Sequence, residues 1–201
     1  MCESGNRSRK ACNAGSDMTA SPNQLVARTR IRRNSPSIMG TVQKMGVFYS
    51  REELVEARRQ WKNAGKTVVF TNGCYDILHP GHIRLLEQAR SLGDILILAL
   101  NTDSSVQRLK GPSRPLIPQG DRAELACALQ AVDAVTLFDE DTPRELIAEV
   151  LPDILIKGAD WSHFIAGREE VEAAGGRVLA LPLEPGYSTT NMVEEILRRG
   201  A

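Results

Sequence analysis

Thr67-Val-Val-Phe-Thr-Asn-Gly-Cys-Tyr-Asp-Ile-Leu-His-Pro-Gly-His-Ile-Arg-Leu-Leu-Glu-Gln-Ala-Arg90 is the stretch from which the rest of the chain is read. Val68 to Thr71 is apolar and β-branched, the pattern of a buried strand. Asn72-Gly73 breaks that strand. Beyond Gly81, the residues Ile83, Leu86, Ala89 and Arg90 recur at spacings of three and four, as on one face of a helix. The order is strand, glycine-bearing loop, helix. His79 and His82 stand three apart in the loop, with His82 expected at or just before the helix start.

A helix N-terminus presents unpaired N–H groups and the positive end of its dipole, so it attracts anions. Two imidazoles beside it add donors, and Gly73 and Gly81 allow a backbone to approach a phosphate closely. A metal site does not fit, because two histidines with only Asp76 nearby make a poor zinc set. A serine hydrolase lacks its serine at a strand-to-helix elbow. The bland alternative is that both histidines merely cap a helix or fill a corner. Their place directly after a strand ending in Asn-Gly favours the anion site.

Downstream, Ile95 to Leu100 is an unbroken apolar run, as expected of a strand covered on both faces of a parallel sheet. Arg108-Leu-Lys-Gly-Pro-Ser-Arg-Pro115 follows as a poor helix and a poor strand, a basic loop whose Lys110 and Arg114 suit an anionic ligand at the carboxyl edge of the sheet. Asp121 to Val132 reads as a helix with Leu125 and Leu129 inward, and Arg122 lies in its first turn, a poor place for a cation unless it serves an anion. Val135–Phe138, Ile154–Ile156 and Val178–Leu181 are further strands, and Thr142-Pro-Arg-Glu145 reads as an N-cap with proline at the first helical position. Lys157 and Asp160 flank the end of one strand, where a mutual salt bridge and a ligand contact are both open. Ser188 and Thr189 open the last helix, Asn191 to Arg199, as ordinary caps or as phosphate contacts. Ser50-Arg-Glu-Glu53 is a capping box, and Leu54, Ala57 and Trp61 mark the inward face of the helix it begins. The alternation predicts a doubly wound α/β fold, Rossmann-like, with a parallel sheet of about five strands and right-handed crossovers.

A formal net charge of zero argues against a dedicated nucleic-acid binder. No apolar run approaches the length of a membrane span, and no secretory signal is visible. Cys2, Cys12, Cys74 and Cys127 have no C-x-x-C spacing and read as free thiols in a reducing cytoplasm. Residues 1–45, rich in Ser, Asn and Arg and without periodicity, are expected to be a disordered basic tail, with Met39 and Met45 as alternative starts; residues 46–201 form the expected domain.

Gly73-Cys-Tyr-Asp-Ile-Leu-His-Pro-Gly-His82 resembles the signature of the cytidylyltransferase-like nucleotidyltransferases, which join a nucleoside monophosphate from a triphosphate to a small phosphorylated molecule. Arg108 to Pro115, Asp-Glu-Asp-Thr-Pro at 139–143, Lys157-Gly-Ala-Asp-Trp161 and Gly186-Tyr-Ser-Thr-Thr190 together resemble the adenylyltransferases of ADP-heptose synthesis, a family often fused behind a sugar kinase. The resemblance spans about Val47 to Arg199. It implies His79, His82 and Lys110 as catalytic residues, and Asn72, Gly73, Cys74, Tyr75, Gly81, Arg114, Lys157, Ser188 and Thr189 as nucleotide contacts. Arg122 and Asp160 are the implied substrate contacts, together with Asp76, for which a turn or cap role is equally open. ATP with Mg2+, a sugar phosphate from a separate heptose kinase, a homodimer and a cytoplasmic location are implied as well; no protein metal site is. Cytidylyltransferases for glycerol 3-phosphate carry Arg-Thr-Glu-Gly-Ile-Ser-Thr before the last helix, whereas this chain has Leu183-Glu-Pro-Gly-Tyr-Ser-Thr189 without that arginine, which weakens the CTP alternative. Tyr75 and Ala159-Asp-Trp161 are mild departures from the heptose pattern of Phe and Gly-Asp-Tyr. A non-enzymatic nucleotide sensor on the same fold is the other alternative.

Overall fold

A computed structural model describes residues 45–159 and 165–200. The expected tail, Met45 apart, and Asp160 and Trp161 lie outside the described residues. In chain order the elements are β1 (Val47–Phe48), α1 (Arg51–Asn63), β2 (Val68–Gly73), α2 (Pro80–Arg90), β3 (Ile95–Asn101), α3 (Asp103–Lys110) and α4 (Gln119–Ala128). They continue with β4 (Ala134–Phe138), α5 (Arg144–Val150), β5 (Ile154–Gly158), α6 (Arg168–Ala173), β6 (Arg177–Leu181) and α7 (Thr189–Gly200).

The strands form one parallel sheet in the order β1-β4-β3-β2-β5-β6. It has six strands rather than about five. The extra one, β1, is two residues long and is defined by pairing Val47 and Phe48 with Ala134 and Val135.

Period-two alternation sorts the strand residues to two cores. Val69, Leu96, Leu98, Leu100 and Val135 face α2 and α4, meeting Leu86, Ala89, Ala123 and Ala126. Val68, Phe70, Ile97, Ala99 and Leu155 face α1, α5 and α6, meeting Leu54, Leu146, Ile147 and Val171. Each large side chain buried this way is worth ~1.5–3 kcal/mol, so the two faces outweigh any one cap at ~1 kcal/mol.

The amino edge of the sheet is pinned by carboxylates. Asp133 Oδ2 accepts from the Leu96 amide at 2.8 Å and pairs with Arg90 Nε at 2.9 Å. Asp153 accepts from the Val68 amide at 2.7 Å and from Arg58 at 2.9 Å.

Local expectations fare unevenly. The Ser50–Glu53 capping box forms in both directions, at 3.0 and 3.2 Å. Leu125 is 44% exposed, because α4 turns Arg122, Ala123 and Ala126 inward. The segment expected to be a basic loop is helical as far as Lys110, where α3 ends at Gly111. Thr142 is not a cap: α5 starts one residue later than expected, with Pro143 in the cap position and no side-chain cap bond. The last helix starts at Thr189, two residues before the expected Asn191.

Candidate active site

The order of strands reverses at β2, whose neighbours are β3 and β5, and the loops beyond the carboxyl ends of such strands form the crevice of open α/β sheets. Gly73 ends β2 and Gly158 ends β5. The loop after Gly73 folds back on itself. Tyr75 adopts φ +47°, which drives its ring beneath Gly73, and a Cβ at position 73 would meet Tyr75 Cε2 at 3.0 Å. Any side chain at 73 would therefore need the Tyr75 ring to give way by a few tenths of an ångström. Tyr75 itself is a buried floor to the site. Burial pushes its phenol up, partly offset by a hydrogen bond with Thr71.

His79, not His82, is the N-cap of α2, with Pro80 following it and His82 one turn into the helix. The backbone N–H of His82 donates to His79 Nδ1 at 3.3 Å. An accepting Nδ1 carries no proton, so neutral His79 holds its proton on Nε2 and can donate there. The two imidazoles stack face to face, with centroids 3.7 Å apart and planes at 14°. Tyr75 covers the other side of His82 at 4.6 Å. Burial first, then His79 and Lys110, push His82 down to about 4, and burial lowers His79 as well. Both rings are thus neutral donors at pH 7, and the formal positive charge comes from Lys110 at the end of α3, near enough to be felt by His82.

The start of α7 comes to the same place. Thr189 Oγ1 donates to the Ile77 carbonyl at 3.5 Å, and Ser188 Oγ accepts from the Asn191 N–H at 3.4 Å. Lys157 Nζ donates to the Asn72 carbonyl at 3.4 Å, across β5 and β2. Asn72 Oδ1 and His82 Nδ1 are buried without a hydrogen-bond partner among the described residues. Buried orphan groups of that kind at a sheet edge call for a ligand or ordered water.

Three expected contacts are turned inward. Asp76, 2% exposed, accepts from Arg114 Nε at 2.6 Å and from the Leu116 and Ile117 amides at 2.8 Å each. Arg114 is held by that same carboxylate through two nitrogens. Arg122, also 2% exposed, donates to the carbonyls of Ile117 at 2.9 Å, Cys74 at 2.6 Å and Asn101 at 2.8 Å, and to Asp103 at 2.9 Å. Its position in the first turn of α4 serves four protein oxygens on three segments, which explains a cation where the helix dipole disfavours one. Cys74 lies beside Asn101, with its thiol 3.8 Å from Oδ1. Asp160 lies outside the described residues.

The structure thus brings His79, His82, Lys110, Gly81, Ser188 and Thr189 to one edge, with Asn72 and Lys157 at the adjoining strand ends. Tyr187 belongs there too, stacked on His79 with centroids 6.0 Å apart. Sequence reasoning passed over it, although a large ring between Gly186 and Ser188 in a glycine-bearing loop was the available signal. Among the described residues no three His, Cys, Asp or Glu side chains gather to hold a metal.

Two neutral donors, the cations Lys110 and Lys157 and two helix starts suit a polyphosphate. Known proteins are similar to this chain in sequence and fold. Residues 70–195 match the cytidylyltransferase-like family. The chain is 53% identical over 150 residues to the bifunctional protein HldE of Syntrophotalea carbinolica, across 74% of this chain and 31% of that protein. It is 46% identical over 170 residues to the bifunctional protein HldE of Azorhizobium caulinodans, across 84% of this chain and 36% of that one. It therefore spans about a third of the length of these curated relatives. The crystal structure of the lipopolysaccharide core biosynthesis protein from Thermoplasma volcanium is similar with a TM-score of 0.50 at 30% identity, covering 60% of this chain and 98% of that one. Fold, loop and sequence agree that this chain belongs to the cytidylyltransferase-like family.

Proposed function

We propose that the chain transfers AMP from ATP to D-glycero-β-D-manno-heptose 1-phosphate, giving ADP-heptose and pyrophosphate for lipopolysaccharide core precursors. The observation that carries this is the stacked, neutral His79–His82 pair at the start of α2, facing Lys110 and the start of α7 at the point where strand order reverses. The heptose acceptor follows from the likeness to the bifunctional HldE proteins and to the Thermoplasma protein of lipopolysaccharide core biosynthesis.

An oxygen of the sugar phosphate attacks the α-phosphorus in line; the new P–O bond forms as the α–β bridging bond breaks, and pyrophosphate takes the departing electron pair. The nucleophile is already an anion, so no strong general base is needed, and catalysis is positioning and charge stabilisation. His79 Nε2–H and His82 donate to phosphate oxygens, and Lys110 balances the charge that collects on the leaving group. Ser188 and Thr189 receive the β- and γ-phosphates at the start of α7. Asn72, Gly73 and Lys157 line the nucleotide at the strand ends. Arg114 and Arg122 act indirectly, by shaping the loops. Mg2+ would enter bound to the phosphates of ATP, as part of the substrate, as is usual for nucleotides.

The acceptor is the product of a phosphorylating step, a heptose kinase reaction. The reaction belongs in the cytoplasm, where ATP is found, and we expect a homodimer. No helix among the described residues is long and apolar enough to cross a membrane. Pyrophosphate release is measured with ATP or CTP crossed against heptose 1-phosphate or glycerol 3-phosphate. Release confined to ATP with the heptose phosphate is expected. Release with CTP and glycerol 3-phosphate, or ATP binding without release for any acceptor, refutes the proposal.

A further inference from the structure

We infer that Tyr187 is a positioning residue: its ring covers the outer face of His79 and keeps the two imidazoles in the stacked arrangement that meets the phosphates. This rests on the function proposed above. Four rings form a column, Tyr75–His82–His79–Tyr187, with successive centroids 4.6, 3.7 and 6.0 Å apart. The last two pairs are close to parallel, at 14° and 19°. A 6.0 Å spacing between near-parallel rings is an offset stack, a favoured geometry.

His79 needs such a contact. Its one side-chain hydrogen bond among the described residues, 3.3 Å from the His82 amide to Nδ1, anchors one nitrogen but not the tilt of the ring about it. The terminal torsion of histidine is broad, so tilt has to be set by packing on the faces. His82 and Tyr187 are the two rings stacked on His79 among the described residues.

Tyr187 is itself held from behind. The Arg84 guanidinium lies 5.7 Å from its ring centre, and Arg84 pairs with Glu184, three residues before Tyr187. The space beneath Tyr187 exists because position 81 is glycine: a Cβ there would sit 3.0 Å from Tyr187 Cβ and 3.1 Å from His79 Nδ1. The loop does not depend on the ring for its course, since Thr189 is tied to Ile77 and Glu184 to Arg84. At 41% exposed, Tyr187 contributes little to the core, and its hydroxyl takes no hydrogen bond among the described residues. The ring face does the work.

The test compares the wild type with Tyr187→Ala and Tyr187→Phe by pyrophosphate release and by NMR of the histidine rings; three histidines in the chain make assignment simple. Tyr187→Ala is expected to lower kcat ~10-fold with the KM for ATP changed by less than ~3-fold, and Tyr187→Phe to restore kcat to within ~2-fold, as for a displaced rather than a missing donor. The ring protons of His79, shifted upfield by the stacked ring, are expected to move downfield in the alanine variant and to stay in place in the phenylalanine variant. A wild-type kcat in Tyr187→Ala, an equal loss in Tyr187→Phe, or His79 signals that do not move overturns the inference. If the wild type releases no pyrophosphate with any substrate pair, the functional proposal falls, and the imidazole signals alone decide whether Tyr187 sets His79.

Discussion

Asp76→Ala should cost the fold far more than the chemistry. The carboxylate, on a side chain 1% exposed, is paired with an Arg114 side chain 13% exposed. It also accepts from the amides of Leu116 and Ile117 at 2.8 Å each. Truncation leaves a shielded guanidinium without its counter-charge and two amides without an acceptor. Hydrogen bonds to charged groups are worth ~1.5–3 kcal/mol apiece, but they are not additive, and removing one partner of a buried pair costs ~3–5 kcal/mol. The segment they hold lies at the surface, with Leu116 54% exposed, so water can reach part of what is released. That places the loss at the lower end, ~3 kcal/mol. For a domain of this size it corresponds to a melting temperature lower by ~6–12 °C. Asp76→Asn keeps an oxygen for the two amides but turns an –NH2 donor toward Arg114, losing the charge and the Arg114 bonds, so it should recover only the amides' share and fall about halfway, ~1.5 kcal/mol. Urea titration measures both, and the reasoning requires an unchanged m-value with a shifted midpoint. If both variants stay within ~0.5 kcal/mol of the wild type, the range of an ordinary surface substitution, the carboxylate is not the latch described here. If Asp76→Asn is stable but its KM for the sugar phosphate rises tenfold, the side chain meets substrate instead.

Other expectations follow from the imidazole pair. His82→Ala should lower kcat ~10²-fold or more with the fold intact by circular dichroism, as for loss of a transition-state donor; near wild-type turnover would show that His82 has no such role. The unfolded chain takes up a proton at His82 near 6.5, whereas the folded chain does so only near 4, so protons favour the unfolded state between those values. Stability should therefore fall as pH drops from 6.5 toward 4, by on the order of 3 kcal/mol from this group, and the slope should be smaller in His82→Asn. Equal slopes in urea titrations of the two proteins would contradict it. By the same shift, kcat should show no limb from His82 between pH 5 and 8.

The sheet was legible because its residues answer to local pattern. Ile95 to Leu100 has no polar interruption, and only a strand covered on both faces tolerates that. β1 was not legible, since two residues make no pattern and become a strand by pairing with Ala134 and Val135. α3 was hidden for a related reason. Within Asp103–Lys110 only Ser105 and Val106 are buried and Leu109 is 49% exposed, so no apolar stripe marks the helix, while the Gly-Pro that follows signals a loop. α4 misled in the opposite direction. Leu125 suggested its inward face, but the helix lies against the sheet on Ala123 and Ala126 and turns the buried Arg122 toward four oxygens, three of which come from distant parts of the chain.

The charged residues near the histidines divide by the same logic, and the division bears on mechanism. Arg114 and Arg122 sit where a nucleotide-binding fold would have use for cations, yet Asp76 and a set of carbonyls already occupy them. A guanidinium cannot lose its proton, so burying one demands fixed partners, and those partners make it a strut. Histidine escapes that demand because it can be buried neutral. His79 and His82 can stack closely because neither is charged, and burial above all, with His79 and Lys110 behind it, holds His82 in that state. A pair of charged side chains at 3.7 Å would repel each other until a polyanion arrived. A pair of neutral donors is already in place beforehand, so little reorganisation remains when phosphate charge redistributes during the reaction. On that account, replacing either histidine by lysine or arginine should fail to restore turnover, whereas asparagine, a neutral donor of similar reach, should recover part of it.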